Sequence, residues 1–110
     1  MHYSQNYSIM PFNIRFIFLI KGMIYLETTL DIVSQILEVA NNSSGDGATK
    51  NRLMYEVSLS HAQLDEYVVM LTERDLLHYD RQMHTLRITE KGLRFLKTYN
   101  QMYDMIKAQV

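Results

Sequence analysis

The feature that most limits how this chain can fold is a link of only three residues between two helical segments. Thr49 can cap a short helix that Ser58 ends, and Ser60 begins the next helix at once. The Ser60 side-chain oxygen can accept the free amide of Gln63, a pattern typical of a helix N-terminus. The spacing therefore predicts two helices joined by a tight turn, the second running to about residue 74. Their inward residues are Leu53, Met54 and Val57 in the first, and Leu64, Val68 and Leu71 in the second.

A helix and a loop precede this pair. The helix is predicted over about residues 29–41, where Thr28 or Thr29 serves as the cap and Asp31 interacts favourably with the helix dipole. Residues 41–47 form the only cluster of Asn, Ser and Gly in the chain and therefore predict a loop. The inward residues of this first helix are Leu30, Val33, Ile36, Leu37 and Ala40.

Two strands and a long helix follow the pair. Residues 76–79 and 85–88 are typical of short strands, and residues 81–84 join them as a hairpin without glycine. Thr89 caps a last helix that continues to near Ala108. The predicted fold class is therefore mainly α with a small β-hairpin. The order of the elements is that of a winged helix-turn-helix domain with a long C-terminal helix.

Composition limits the possible functions. A chain of 110 residues has room for one domain, and 47% hydrophobic residues exclude a wholly disordered chain. The formal net charge of -1 creates no global field toward nucleic acid or anionic lipid, so any such binding depends on a local patch. The absence of cysteine excludes disulfides, thiolate zinc sites and cysteine nucleophiles, and is compatible with the cytoplasmic location that we expect.

Residues 1–27 are predicted to be an apolar N-terminal arm whose role the sequence leaves open. Its apolar run ends at Ile20, is interrupted by Arg15 and is shorter than the ~20 residues that cross a bilayer. The arrangement of charges is not that of a secretory signal. The aromatic and β-branched content suits a strand or a segment laid on a partner. Met23 is an alternative start, in which case residues 1–22 are an upstream extension without function.

Two stretches carry a resemblance to a known family, TKNRLMYEVSLSHAQLDEYVVMLTERDLL and LRITEKGLRFLKTY. They resemble the small archaeal winged-helix DNA-binding proteins, in which T-K-x-x-I-M-Y leads to L-S-x-x-Q, Y-x-x-x-L, G-L-L, a short wing and T-x-K-G-x-x-F-L. The resemblance covers about residues 28–106 and implies a winged helix-turn-helix fold and DNA binding. Asp75 replaces the family's glycine before the two leucines, at a position that often takes a left-handed backbone. The short, glycine-free wing disfavours deep insertion into a groove.

The exposed N-terminal face of the second helix of the pair is where such folds contact base edges. His61 and Gln63 are predicted to face outward there. Gln63 can make two hydrogen bonds to adenine, and His61 can donate to guanine or to a phosphate. The alternative is that both are ordinary solvated residues, because the helix also carries Asp65 and Glu66 and has no Lys or Arg before Arg74.

Positive charge is concentrated in the predicted wing and last helix. Residues 81–97 hold five cations against one acid, a net charge of +4, whereas residues 27–80 hold three cations against ten acids, a net charge of -7. The basic segment and the start of the second helix therefore predict phosphate contacts, with a solvated mixed-charge surface as the alternative. The predicted DNA-binding residues are Thr49, Lys50, Arg52, Ser60, His61, Gln63, Arg81, Arg87 and Lys91.

The last helix carries an apolar stripe whose members are four, three and four residues apart, the spacing of a coiled coil. Much of the stripe would extend beyond a compact three-helix core and expose a large apolar patch. We therefore predict that residues 93–110 pair with a second copy in a homodimer. The alternative packs the stripe onto the first helix or the arm of the same chain. The predicted dimerisation residues are Phe95, Tyr99, Met102, Tyr103 and Ile106.

No group of residues is typical of an enzyme. His61 and Asp65, one helical turn apart, could share a proton, but neither a nucleophile nor a glycine-rich phosphate loop accompanies them. His78 and His84 have no third ligand at metal spacing. We therefore expect no enzymatic activity, cofactor, metal or small-molecule substrate.

Two functions are consistent with these features. The first is a homodimeric protein that binds double-stranded DNA through residues 28–92, as a transcription regulator or a chromatin-like architectural protein. The second is a protein-interaction module that retains the fold but uses its acidic third helix and its apolar arm to bind a protein, because a fold alone does not prove a function. Membrane association is not expected.

Overall fold

A computed structural model describes residues 12–43 and 45–107. The chain divides into two compact units, residues 1–31 and residues 32–110. The predicted fold class and order of elements are confirmed. Within the described part of the chain, no helix is both long enough and apolar enough to cross a membrane. The elements are α1 (Phe12–Asn42), α2 (Lys50–Val57), α3 (His61–Glu73), β1 (Leu77–Asp80), β2 (Thr85–Ile88) and α4 (Glu90–Lys107).

α1 is much longer than the sequence predicts. It begins at Phe12 instead of about residue 29, so the expectation of a strand in the N-terminal arm is wrong. The strand preference of aromatic and β-branched residues is weak and yields to context. The only proline of the chain is Pro11, which precedes Phe12 in the sequence, so no proline interrupts the helix. The first part of the arm, residues 1–11, lies outside the described residues.

The core of the second unit is formed by side chains from all of its elements. Leu37, Leu53, Leu64, Leu71 and Leu86 are completely buried, and each such side chain contributes roughly 1.5–3 kcal/mol by leaving water. The predicted inward residues are buried except Leu30, Met54 and Val68, which are only partly buried. The remaining buried hydrophobic residues are Val33, Ile36, Ala40, Ala48, Val57, Leu76, Leu77 and Leu96.

The tight turn between α2 and α3 is held by the predicted caps. Thr49 Oγ1 accepts the Arg52 amide at 3.2 Å, and Ser58 ends α2 in a left-handed conformation with φ of 59°. Ser60 Oγ accepts the Gln63 amide at 3.2 Å, while Gln63 Oε1 accepts the Ser60 amide at 3.0 Å. This reciprocal capping box satisfies two amides that the start of α3 would otherwise leave without partners.

β1 and β2 form an antiparallel hairpin, and we call residues 77–88 the wing. β1 begins one residue later than predicted. Asp80 Oδ1 accepts the amides of Gln82 at 2.9 Å and Met83 at 3.1 Å, and His84 takes a left-handed φ of 55°. His84 thus takes the left-handed conformation that a glycine usually takes in such a turn, and the Asp80 side chain stabilises the turn by accepting two of its amides.

The loop before α2 pairs with the second edge of β2, which the sequence does not predict. Ala48 and Leu86 exchange two backbone hydrogen bonds, at 3.0 and 2.8 Å, and Thr85 Oγ1 donates to the carbonyl of Asp46. Gly47 has a φ of +87°, and an added Cβ would lie 2.6 Å from the Leu86 carbonyl oxygen. Only glycine fits there, and the pairing ties the start of α2 to the wing.

The chain leaves α3 through the left-handed position expected from the resemblance. Asp75 has a φ of 60°, and its carbonyl accepts the Thr89 hydroxyl at 2.7 Å. Thr89 Oγ1 also accepts the Gly92 amide at 2.9 Å, so the predicted cap of α4 is confirmed. A Cβ on Gly92 would lie 2.4 Å from the carbonyl oxygen of Leu76, so α4 approaches the chain before the wing too closely for a side chain. The predicted helix end near Ala108 lies outside the described residues.

Candidate nucleic-acid interface

The N-terminal turn of α3 presents polar side chains to solvent. His61, Gln63 and Glu66 are exposed, as predicted, while Leu64 between them is fully buried and fixes the rotation of the helix. Because the capping box holds the first turn, these side chains project from a rigid backbone. The surface formed by α2 and the N-terminal half of α3 is called the helical face below.

Gln63 is committed in part to the fold. Its Oε1 already accepts the Ser60 amide at 3.0 Å. The two-bond contact with adenine needs that oxygen as an acceptor and the amide nitrogen as a donor. The nitrogen remains available, and it can donate to N7 of either purine or to O6 of guanine. The arrangement therefore suits a single hydrogen bond to either purine better than the two-bond contact to adenine that the sequence suggests.

Asp65 contacts both Lys50 and His61 at the centre of the helical face. Its Oδ1 lies 3.2 Å from Lys50 Nζ, and its Oδ2 lies 3.1 Å from His61 Nδ1. The first contact joins the start of α2 to α3, and the second spans one turn of α3. Lys50 and His61, both predicted to contact DNA, are therefore paired with an acid.

Arg52, beside Lys50 on α2, is also paired. Its Nε contacts Glu56 Oε2 one turn along the helix, and its guanidinium donates to Ser43 Oγ at 3.0 Å. The backbone amide of Arg52 donates to Thr49, so this residue stabilises both ends of its own short helix. The helical face thus contains two predicted cationic contacts, Lys50 and Arg52, and each of them has an acidic partner.

The wing contains both a paired and an unpaired arginine. Arg87 Nε lies 3.2 Å from Asp80 Oδ2, an ionic contact without hydrogen-bond geometry, and its guanidinium lies 4.0 Å from Asp46. The Met83 amide, followed by the Gln82 amide and the Arg87 charge, lowers the pKa of Asp80 below its ordinary value of 3.8.

Arg81 differs from Arg87. It occupies the exposed turn of the wing, and no acidic side chain in the described ranges lies within ion-pair distance of it. Of the five Lys and Arg residues predicted to contact phosphate, Arg81 is the one that the described structure leaves available.

Lys91 has a role in the fold that the sequence does not reveal. Its Nζ donates to the carbonyl oxygen of Arg74 at 2.8 Å, at the end of α3. A cation at this position satisfies a carbonyl and interacts favourably with the negative end of the helix. The exposed side chains of Arg74, Arg94 and Lys97 have no acidic partner in the part of the chain described. Arg94 and Lys97 lie in the basic segment 81–97, but none of the three is in the set of predicted DNA-binding residues.

The predicted dimerisation residues fall into two groups. Phe95 and Tyr99 are partly buried, and Tyr99 stacks between Phe95 and Tyr103 with ring centroids 6.5 Å apart in each pair. Met102, Tyr103 and Ile106 are 55%, 54% and 67% exposed. The second group has the exposure that an intermolecular contact requires, while Phe95 packs against the core.

Counting the charged residues along the sequence did not reveal these ion pairs on the helical face. The contacts between Arg52 and Glu56 and between His61 and Asp65 link positions four apart on a helix, a spacing visible in the sequence. The contact between Lys50 and Asp65 depends on the crossing of two helices and has no sequence signal. Among the described residues, no group of three acidic or histidine side chains is placed to bind a metal.

Comparison with known proteins agrees with this geometry. A family model described as winged helix-turn-helix matches residues 27–107. No curated protein matches the chain significantly. The matched region contains the caps, the helical face, the wing and the whole of α4.

Proposed function

The chain belongs to the winged helix-turn-helix family, and on that premise we propose that it binds double-stranded DNA through α3 and the wing. The observation that carries the proposal is the first turn of α3. Its capping box holds exposed His61 and Gln63 on a rigid backbone, where this fold contacts base edges. The unpaired Arg81 at the wing turn supplies a phosphate contact on a second element.

The predicted contacts then have different tasks. The Gln63 amide nitrogen and His61 contact base edges, and Arg81 contacts phosphate. The hydroxyl groups of Thr49 and Ser60 accept helix amides and can still donate their own hydrogens to phosphate. The other four cations contribute only where phosphate displaces their present partners, which are listed above for Lys50, Arg52, Arg87 and Lys91.

We also infer that the protein is an archaeal, cytoplasmic homodimer that serves as a transcription regulator or an architectural protein. One protomer offers few available cations, so its affinity for DNA is low. Joining two protomers through the exposed Met102 and Ile106 lets the second contact form at a high effective concentration. A detectable sequence preference favours the regulator, and its absence favours the architectural role.

Binding to a random DNA duplex at low salt tests the proposal. The folded chain of 110 residues is expected to bind, and Arg81→Ala is expected to bind less tightly. Lys21→Ala is the matched control, because it removes one exposed cation outside the residues of the family match. A folded protein that does not bind duplex DNA at low salt contradicts the proposal.

The protein-interaction module is the second candidate. The pairing of Lys50, Arg52 and His61 with acids supports it, since the helical face then presents little net positive charge. Under this alternative, Arg81→Ala and Lys21→Ala behave alike with DNA, and neither binds measurably.

A further inference from the structure

The side of α3 that points directly away from the core carries Glu66 and Val69, and neither is among the predicted DNA-binding residues. Leu64 and Leu71 are completely buried and mark the inward side of this helix. Glu66 follows Leu64 by two residues and Val69 precedes Leu71 by two, so each lies about 200° round the helix from a buried leucine. Both are exposed, Val69 by 54%. Gln63, about 100° from Leu64, lies on the flank of this outward side.

Glu66 differs from the acid that precedes it on α3. Asp65 contacts Lys50 and His61, whereas no described cationic side chain lies within ion-pair distance of Glu66. The helix itself offers none, because positions 62, 63, 69 and 70, three and four residues away, are uncharged. The Glu66 carboxylate therefore keeps its capacity to accept hydrogen bonds from a ligand.

A carboxylate on a DNA-binding surface is repelled by the phosphates, so it is tolerated best where a base supplies a hydrogen-bond donor. In the major groove, cytosine presents its N4 amino group as a donor, and a Glu side chain can accept from it. Guanine presents two acceptors there and thymine presents one, so both repel a carboxylate. Adenine places its donor beside the N7 acceptor. Cytosine is therefore the base that suits Glu66 best.

Val69 adds an apolar contact one turn further along α3. It lies three residues after Glu66, which is about 4.5 Å along the helix axis, and successive bases of a DNA strand are about 3.4 Å apart. With α3 in the major groove, the two side chains are level with base pairs one or two steps apart. An apolar side chain in this groove contacts the C5-methyl group of thymine, which the other three bases lack.

From these observations we propose that Glu66 selects a cytosine and that Val69 selects a thymine one or two base pairs away. The inference rests on the proposed binding of DNA through α3, and it adds the identity of two bases in the preferred site. Phosphate contacts hold DNA of any sequence without either residue, so DNA binding and base selection can be tested separately.

Selection from a random library of DNA duplexes, with the wild type and with Glu66→Gln, tests the cytosine contact. The wild type should enrich a motif that contains a cytosine. Replacing that base pair by one with adenine should lower wild-type affinity by about fivefold, the lower limit for a specific base contact. Glu66→Gln should instead enrich adenine at the same position, because glutamine makes two hydrogen bonds to adenine. Neither unfolding nor loss of charge produces such a change of preferred base.

Glu73→Gln is the matched control, because it removes the same charge from an exposed position at the last residue of α3. It should enrich the motif of the wild type. If the wild type binds duplex DNA but enriches no motif, or if Glu66→Gln enriches the same motif, the cytosine contact is excluded and DNA binding stands. If the folded wild type binds no duplex at low salt, the proposed function fails and this inference fails with it.

Uracil tests the thymine contact, because it differs from thymine only in lacking the C5-methyl group. Uracil at the selected thymine should lower wild-type affinity by about fourfold, the effect of returning one methyl group to water. Val69→Ser, which loses the exposed apolar contact, should bind both duplexes equally. Uracil in place of a thymine outside the motif is the control and should change nothing. Equal binding of the wild type to both duplexes would overturn the assignment of Val69.

Discussion

The helical face and the wing both contain predicted cationic contacts, but they differ in how these charges are held. On the helical face, Lys50 and His61 share Asp65, and Arg52 contacts Glu56. In the wing, Arg87 is paired in the same way, whereas Arg81 is not. The number of cations on a surface therefore overstates the charge available to a phosphate, and pairing decides which cations act.

The pairs on the helical face are weak enough to be replaced. Lys50 and Asp65 have side chains that are 44% and 42% exposed, and exposed ion pairs of this kind contribute about 0.2–1 kcal/mol. Phosphate can therefore compete for Lys50 at a small cost. The acids reduce nonspecific affinity without abolishing it. The base contacts of α3 therefore contribute a larger share of the binding free energy.

The largest effect is expected at Gln63, on a preferred DNA site. Gln63→Ala should cost roughly 1–3 kcal/mol there and little on random DNA, because it removes a base contact. Gln63→Glu is the sharper variant, since it keeps the oxygen that accepts the Ser60 amide but loses the donor. Both should lose the preference in titrations with the two DNAs, and only Gln63→Ala should reduce thermal stability. If Gln63→Glu retains the preference, this residue does not contact the bases.

If selection of the wild type from a random DNA library enriches no motif, only the architectural role remains.

The next effect is expected in the wing. Arg81→Ala should reduce affinity for a dimer by roughly tenfold on every sequence, because it removes one phosphate contact from each protomer. Arg87→Ala should reduce it less, because Arg87 already contacts Asp80 and Asp46. Fluorescence anisotropy with random and preferred duplexes measures both. Unchanged affinity in both variants would exclude the wing from the interface.

A smaller effect of opposite sign is expected at Asp65. Asp65→Asn releases Lys50 and His61, so affinity for random DNA should increase by about threefold, in keeping with the energy of an exposed ion pair. Glu73→Gln, which removes an acid at the other end of α3, is the matched control and should change affinity less. Equal increases in both variants would mean that net charge alone matters.

The smallest effect is expected when acid protonates Asp80 in the turn of the wing. The pKa of Asp80 is lowered in the folded chain, so its stabilising contacts are complete above the ordinary value of 3.8 and are lost as pH falls through the lower folded value. The Gln82 and Met83 amide signals in NMR spectra should therefore titrate with a midpoint below 3.8. Asp80→Asn keeps an acceptor oxygen and should abolish the titration. A midpoint at or above 3.8 would contradict the assigned contacts.

Local sequence signals predicted the elements well where one side chain satisfies a nearby backbone group. The caps at Thr49, Ser60 and Thr89 were predicted because each bonds an amide three residues ahead. The left-handed turn at Asp75 followed from the family resemblance. The start of α1 was not predicted, because strand propensity in residues 12–28 gave the wrong signal and only context decides between strand and helix.

Most of the candidate site could not be predicted from the sequence. The choice of exposed residues on α3 needed only helical periodicity. The partners of Lys50 and Lys91 come from positions 15 and 17 residues away, and they depend on how the helices cross and where the wing returns the chain. The use of Gln63 Oε1 in its own helix cap was implicit in the capping pattern, yet its consequence for base recognition required the hydrogen bond itself.

The salt dependence of DNA binding tests most directly the claim that pairing withholds cations on the helical face. If all five predicted cations of both protomers contacted phosphate, the slope of log affinity against log salt would be about -9, and we expect a shallower slope for the wild type. Asp65→Asn should make the slope steeper by about 2, because Lys50 is released in both protomers, and Arg81→Ala should make it shallower by about 2. A wild-type slope near -9 that neither substitution changes would contradict the account.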